Sequence, residues 1–82
     1  MFYVYILYSS LTGKYYTGHT ENLKRRIEEH NARTNKSTAK GIPWEKIYSQ
    51  EVNTRGEAMK LENRIKKRGA RRFLEDLKGG EL

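Results

Sequence analysis

Large apolar and aromatic side chains occupy both parities of Phe2-Tyr3-Val4-Tyr5-Ile6-Leu7-Tyr8. That is the pattern of a strand covered on both faces, and so central in its sheet. Ser9, Ser10, Thr12 and Gly13 supply turn residues before a second run, Lys14-Tyr15-Tyr16-Thr17, which ends at Gly18. The two runs predict a hairpin. From Thr20 to Asn31 the period changes, with Leu23, Ile27 and His30 at helical spacing and Arg26 on the same side. An amphipathic helix is predicted there. Ala32 to Pro43 carries Asn, Thr, Ser, Gly and the single proline, and reads as a basic loop. Trp44 to Val52 predicts a third strand with Trp44, Tyr48 and Val52 on one face and Ile47 on the other, and its Glu and Lys content marks an edge.

Thr54-Arg55-Gly56-Glu57 has capping-box spacing, so a helix starts here and Gly69 is placed to stop it after Lys66-Lys67-Arg68. Ala58, Leu61, Glu62 and Ile65 share one face of this helix. A last helix, Ala70 to Lys78, puts Phe73, Leu74 and Leu77 toward the core. The predicted order is β-β-α-β-α-α, an α/β chain of the α+β kind.

At 82 residues the chain fits one domain over 1–82 and excludes a two-domain enzyme. Seventeen basic residues against 10 acidic ones leave +7, which favours a polyanionic partner. The basic excess is concentrated in 22–40 and 54–82, while the hairpin is nearly neutral and aromatic. The absence of cysteine removes disulfides, thiolate metal sites and cysteine nucleophiles, and makes the cytoplasm the expected location. The run from Phe2 to Tyr8 is too short to span a bilayer, so no membrane role is expected.

Three ionisable residues, Arg26, His30 and Glu62, stand where the helical pattern calls for apolar side chains. Each alone has an ordinary account: a snorkelling arginine, a hydrogen-bonded histidine, a glutamate paired with a nearby lysine. Together they outweigh it, because an unpaired buried charge is costly. Tyrosine is the second anomaly, six in all with five within residues 1–16. A phenol beside a cation or metal can act as base or donor. His19 and His30 lack a third ligand for zinc, no phosphate-binding glycine loop is present, and Ser9 and Ser10 lack triad partners.

Tyr3-Val4-Tyr5, then Tyr16-Thr17-Gly18, then Arg26 and His30, then Leu61-Glu62-Asn63 opening a basic helix, together resemble the GIY-YIG nuclease superfamily. The chain is most similar to its small single-domain bacterial members and to the amino-terminal nuclease module of the nucleotide-excision repair enzyme. Two positions depart from the pattern. Tyr3 replaces the glycine that opens the first motif, and His19 stands where the repair enzyme has lysine.

The resemblance implies a small three-stranded antiparallel sheet flanked by helices, with Tyr5 and Tyr16 on the sheet and Arg26, His30 and Glu62 facing it. It implies a metal-dependent endonuclease that nicks nucleic acid, DNA before RNA, with one Mg²⁺ or Mn²⁺ on Glu62. Tyr5 would be the base for the attacking water, helped by His30, and Tyr16 would position water or phosphate; these two tyrosine roles are interchangeable. Arg26 would stabilise charge on the phosphate. Nucleic-acid contacts are expected from His19, Arg33, Lys36, Lys40, Lys66, Lys67 and Arg68, and a protein partner or self-association would add specificity. The rival readings are a non-catalytic nucleic-acid-binding module of the same fold, and an interaction module using the edge strand Trp44 to Val52.

Overall fold

The computed structural model describes residues 1–33 and 36–79. Its elements are strand β1 (Phe2–Ser9), strand β2 (Tyr15–Thr20), helix α1 (Leu23–Asn31), one 3-10 turn (Ala39–Gly41), strand β3 (Trp44–Val52), helix α2 (Arg55–Arg68) and helix α3 (Ala70–Gly79). The strands form one antiparallel sheet in the order β2-β1-β3. Thr34 and Asn35 of the expected loop, and the tail beyond Gly79, lie outside the described residues.

The central strand divides the interior in two. Val4 and Ile6 are fully buried under α2 and α3, in a cluster with Ala58, Ile65 and Phe73. Tyr5 and Leu7 face the other way and pack with Trp44, Tyr16, Leu23, Ile27 and Ile42 on the α1 side. Each fully buried aliphatic side chain contributes about 1.5–3 kcal/mol. Two thin layers sharing one strand therefore hold the domain.

Both helices that carry site residues have defined starts. Asn22 caps α1 by accepting the Arg25 N–H at 3.1 Å. Thr54 and Glu57 make the reciprocal capping box of α2, and Gly69, at φ 90°, ends it with its N–H on the Ile65 carbonyl. A non-glycine residue would be strained at that φ.

Four local expectations change. Strand β2 continues past Gly18, which pairs with Tyr5, as far as Thr20. Helix α1 starts at Leu23 rather than Thr20, because the Thr20 hydroxyl accepts the Asn22 N–H at 3.1 Å in a turn ahead of the cap. In β3, Ile6 pairs with Tyr48 but Leu7 with Lys46, so Ile47 is an extra bulged residue. The bulge reverses the parity: Trp44 joins Tyr5 and Leu7, while Tyr48 and Val52 join the opposite cluster. On α3 the packing ends at Leu74, and Leu77 is 45% exposed beside Lys60, Arg64 and Lys67.

The turn after α1 closes on Trp44. A Cβ on Gly41 would overlap Cζ2 of the Trp44 indole, which is itself buried. Gly41→Ala is expected to destabilise the protein by about 1–3 kcal/mol in urea unfolding, as overpacking does. Gly56→Ala, where a Cβ meets only Thr54 Oγ1 at 3.9 Å, is expected to be neutral or stabilising.

Candidate active site

Tyr5 sits at the middle of β1 with 1% exposure, and its hydroxyl lies 3.1 Å from His30 Nε2. Gly18, opposite it on β2, makes this position possible: a Cβ there would stand 2.8 Å from the Tyr5 hydroxyl and 3.2 Å from the Tyr16 ring. The glycine is needed for close approach and sits within the strand, which is why it failed as a strand terminator. Tyr16 is half-buried, its ring centroid 6.3 Å from that of Tyr5 and 4.6 Å from that of His30.

Two residues of α1, one turn apart, face these tyrosines. Arg26 lies near enough to the Tyr5 hydroxyl to pull its pKa down, and its Nη1 donates to Glu29 Oε1 at 3.2 Å. Its side chain is 41% exposed, so the guanidinium reaches both the buried phenol and solvent. His30 is 1% exposed, with Nδ1 3.0 Å from the Thr38 hydroxyl.

From the other layer, α2 supplies Glu62. Its side chain is 16% exposed, Oε1 lies 2.5 Å from His19 Nδ1, and Oε2 accepts from Lys66 Nζ at 2.6 Å. The field of this carboxylate reaches Tyr5. Tyr5, Tyr16, Arg26 and His30 thus gather on the α1 face of the β1–β2 pair, while Glu62 stands on the α2 side beside His19. His19 and Lys66, expected at nucleic acid, instead hold Glu62.

The other expected cations stand apart. Arg33, at φ 62°, and Lys36 and Lys40 are exposed on the segment after α1. Lys67 and Arg68 are exposed on α2, and the Arg68 fork is engaged by Asp76 through Nε at 2.7 Å and Nη2 at 2.9 Å.

Burial pushes the Tyr5 phenol up to about 12, against the hydrogen bond from Arg26 that pulls it down. Burial, and then the Arg26 charge, push His30 below its ordinary value, with Glu29 opposing. At neutral pH both groups are uncharged. The buried phenol O–H needs an acceptor, and His30 Nε2 at 3.1 Å is placed to take it. Burial alone would raise the Glu62 carboxyl, but hydrogen bonds from Lys66 and His19 outweigh it and hold the group below the usual carboxylate range.

Among the described residues no group of three or more His, Cys, Asp or Glu is arranged to hold a metal. Glu62 offers one hard oxygen donor, and Lys66, 54% exposed, is free to swing away from Oε2. This donor set suits Mg²⁺ or Mn²⁺, which keep most ligands as water and phosphate oxygens, and excludes a closed structural site.

Three contributors escaped the sequence reading: Thr38 behind His30, the Trp44 indole that donates to the Thr38 carbonyl at 2.7 Å, and Asn31. Asn31 brackets the Trp44 backbone, accepting its N–H at 2.6 Å and donating to its carbonyl at 3.1 Å. Trp44 lies in the strand pattern of β3, which does not reveal its indole's partner, and Thr38 and Asn31 lie in no apolar period. The polar composition of residues 32–43 was the available signal, and it reads as loop.

The GIY-YIG catalytic domain matches residues 1–74, and the chain belongs to that family, whose nucleases act on nucleic acid. A UPF0213 protein of Halobacterium salinarum is 37% identical over 67 residues, covering 80% of this chain and 86% of the relative. One from Streptococcus agalactiae is also 37% identical over 67 residues, covering 80% and 75%. The solution NMR structure of a UPF0213 protein from Bacillus halodurans matches with a TM-score of 0.57 and 34% identity, over 98% of this chain and 88% of that one. Among the described residues no helix is long and apolar enough to cross a membrane.

The lowered His30 pKa has a consequence for stability. Below the ordinary value of 6.5 the unfolded chain takes up a proton that the native protein refuses, so stability falls as pH drops from there through the lowered native value. Thermal melts from about pH 7.5 to about pH 5 are expected to show a falling Tm that flattens in His30→Gln. Parallel curves for the two proteins would contradict this.

Proposed function

We propose that this chain is a divalent-metal-dependent endonuclease that hydrolyses phosphodiester bonds in DNA and leaves single-strand breaks. The observation that carries the reading is the hydrogen-bonded Tyr5–His30 pair packed with Tyr16 and flanked by Arg26, with Glu62 approaching from the opposite layer.

At neutral pH a phenol with a pKa near 12 is ionised in only about one molecule in 10⁵, so a standing phenolate at Tyr5 is not the base. A relay avoids it. As water attacks phosphorus, its proton passes to the Tyr5 oxygen while the Tyr5 proton passes to His30 Nε2, 3.1 Å away. The proton ends on the imidazole, and the phenol is restored. Tyr16, packed on His30, borders the same space and positions water or phosphate. Arg26, already charged and partly exposed, offers its guanidinium fork to two phosphate oxygens. Glu62 would hold a divalent ion, which would supply positive charge toward the phosphate and leaving oxygen; a single carboxylate is a weak site for such an ion until substrate phosphate joins it.

Long-range attraction comes from the exposed cations Arg33, Lys36, Lys40 and Lys67, which engage phosphates without reading sequence. Nicking of supercoiled plasmid, with and without Mg²⁺ or Mn²⁺, tests the activity directly. Glu62→Gln keeps the side-chain volume and removes the anionic donor. It is expected to abolish metal-dependent nicking while leaving DNA affinity within about twofold. Undiminished nicking by Glu62→Gln would remove the metal assignment, and DNA binding without nicking by wild type would establish the non-catalytic module instead.

Arg26→Lys separates grip from charge. Lysine keeps the aliphatic stem and the charge but lacks the fork, so single-turnover cleavage is expected to fall by about 10²–10³ with Tm nearly unchanged. Equal rates in the two proteins would return Arg26 to a purely structural role.

A further inference from the structure

Thr38 lies in the segment between α1 and β3, whose cations Arg33, Lys36 and Lys40 are exposed, yet Thr38 itself is 1% exposed. Its hydroxyl stands 3.0 Å from His30 Nδ1, while the other ring nitrogen, Nε2, meets the Tyr5 hydroxyl. We propose that Thr38 is a positioning residue: its hydroxyl oxygen accepts the His30 Nδ1–H and thereby keeps Nε2 bare toward the Tyr5 proton. The effect on rate rests on the nuclease reading above; the effect on the imidazole does not.

A neutral imidazole carries one N–H and one lone pair, and the partner of one nitrogen decides the state of the other. On the Tyr5 side the choice is constrained by burial: the phenol O–H, 1% exposed, needs an acceptor, and His30 Nε2 at 3.1 Å is the side-chain partner its geometry offers. The phenol proton therefore points to Nε2, and Nδ1 is left to carry the ring hydrogen. That hydrogen needs an acceptor in a site without solvent, and the Thr38 hydroxyl oxygen is within reach.

Thr38 is in turn held in place. The Trp44 indole donates to its carbonyl at 2.7 Å, and Trp44 is clamped through its own backbone by Asn31 from the end of α1. The polar segment after α1 thus carries the buried Thr38 hydroxyl inward to the histidine. With Nε2 kept bare, His30 is ready to receive the Tyr5 proton without first changing tautomer. With the tautomer reversed, Nε2–H would point at the phenol and block the transfer.

The test uses Thr38→Val, which keeps the shape and deletes the oxygen, and Thr38→Ser, which keeps the oxygen. Imidazole ¹⁵N NMR of the metal-free proteins reads the tautomer without reference to activity. Wild type and Thr38→Ser are expected to show protonated Nδ1 and unprotonated Nε2 at His30, and Thr38→Val a mixture of tautomers. In single-turnover nicking, Thr38→Val is expected to lose about ten- to a hundredfold in rate, part of the 10²–10⁴ that a positioned acid–base pair contributes, with DNA affinity unchanged. Thr38→Ser should restore most of that loss.

A wild-type spectrum with protonated Nε2 would overturn the proposal even if Thr38→Val failed to fold. An unaltered His30 spectrum in folded Thr38→Val would overturn it too, whatever the rate. Wild type that does not nick nucleic acid would defeat the nuclease reading, and the spectra would still decide the role of Thr38.

Discussion

A phenol hydroxyl buried at the centre of a three-stranded sheet must find hydrogen-bond partners inside the protein, and much of this fold is arranged around supplying them to Tyr5. Gly18 leaves the space, His30 Nε2 stands 3.1 Å from the hydroxyl, and the Arg26 guanidinium lies close enough to lower its pKa. In a low-dielectric interior such bonds are strengthened, and leaving one partner unmatched costs about 1–3 kcal/mol. The positions of α1 and β2 are therefore coupled to the state of one side chain on β1.

The same requirement extends outward in a second ring. His30 leans on Thr38, Thr38 on Trp44, and Trp44 on Asn31, so a chain of polar contacts runs from the start of β3 back to the central strand. Glu62 approaches from the other layer with one oxygen on His19 Nδ1 and the other on Lys66 Nζ. The Tyr5–His30 pair thus lies in one layer and the Glu62 carboxylate in the other, with β1 and β2 between them. Mutations in either hydrophobic cluster are felt at the site through this shared strand.

Much of this was legible in the chain because the strongest signals are local. Apolar residues at both parities marked β1 as central, and Thr54, Glu57 and Gly69 marked the ends of α2, since capping depends on neighbours in sequence. The errors came where a long-range contact sets the outcome. Gly18 reads as a breaker until Tyr5 is placed over it, and Trp44 and Tyr48 share a parity until the bulge at Ile47 separates them. The same division applies to the site. Arg26, His30 and Glu62 stood out by interrupting apolar stripes, whereas Thr38 and Lys66 sit among residues of their own kind and acquire a role only through a partner far along the chain or across a helical turn.

The bulge at Ile47 also bears on how the molecule meets copies of itself. β3 leaves one side of its backbone without a neighbouring strand, and such an edge invites pairing with another chain. Here the strand changes register midway, and Glu45, Lys46, Gln50 and Glu51 are exposed along it. A kinked, charged edge is a poor template for a straight incoming strand. An irregularity that misdirects side-chain parity in a sequence reading thus also protects a small, tyrosine-rich sheet from growing by one more strand.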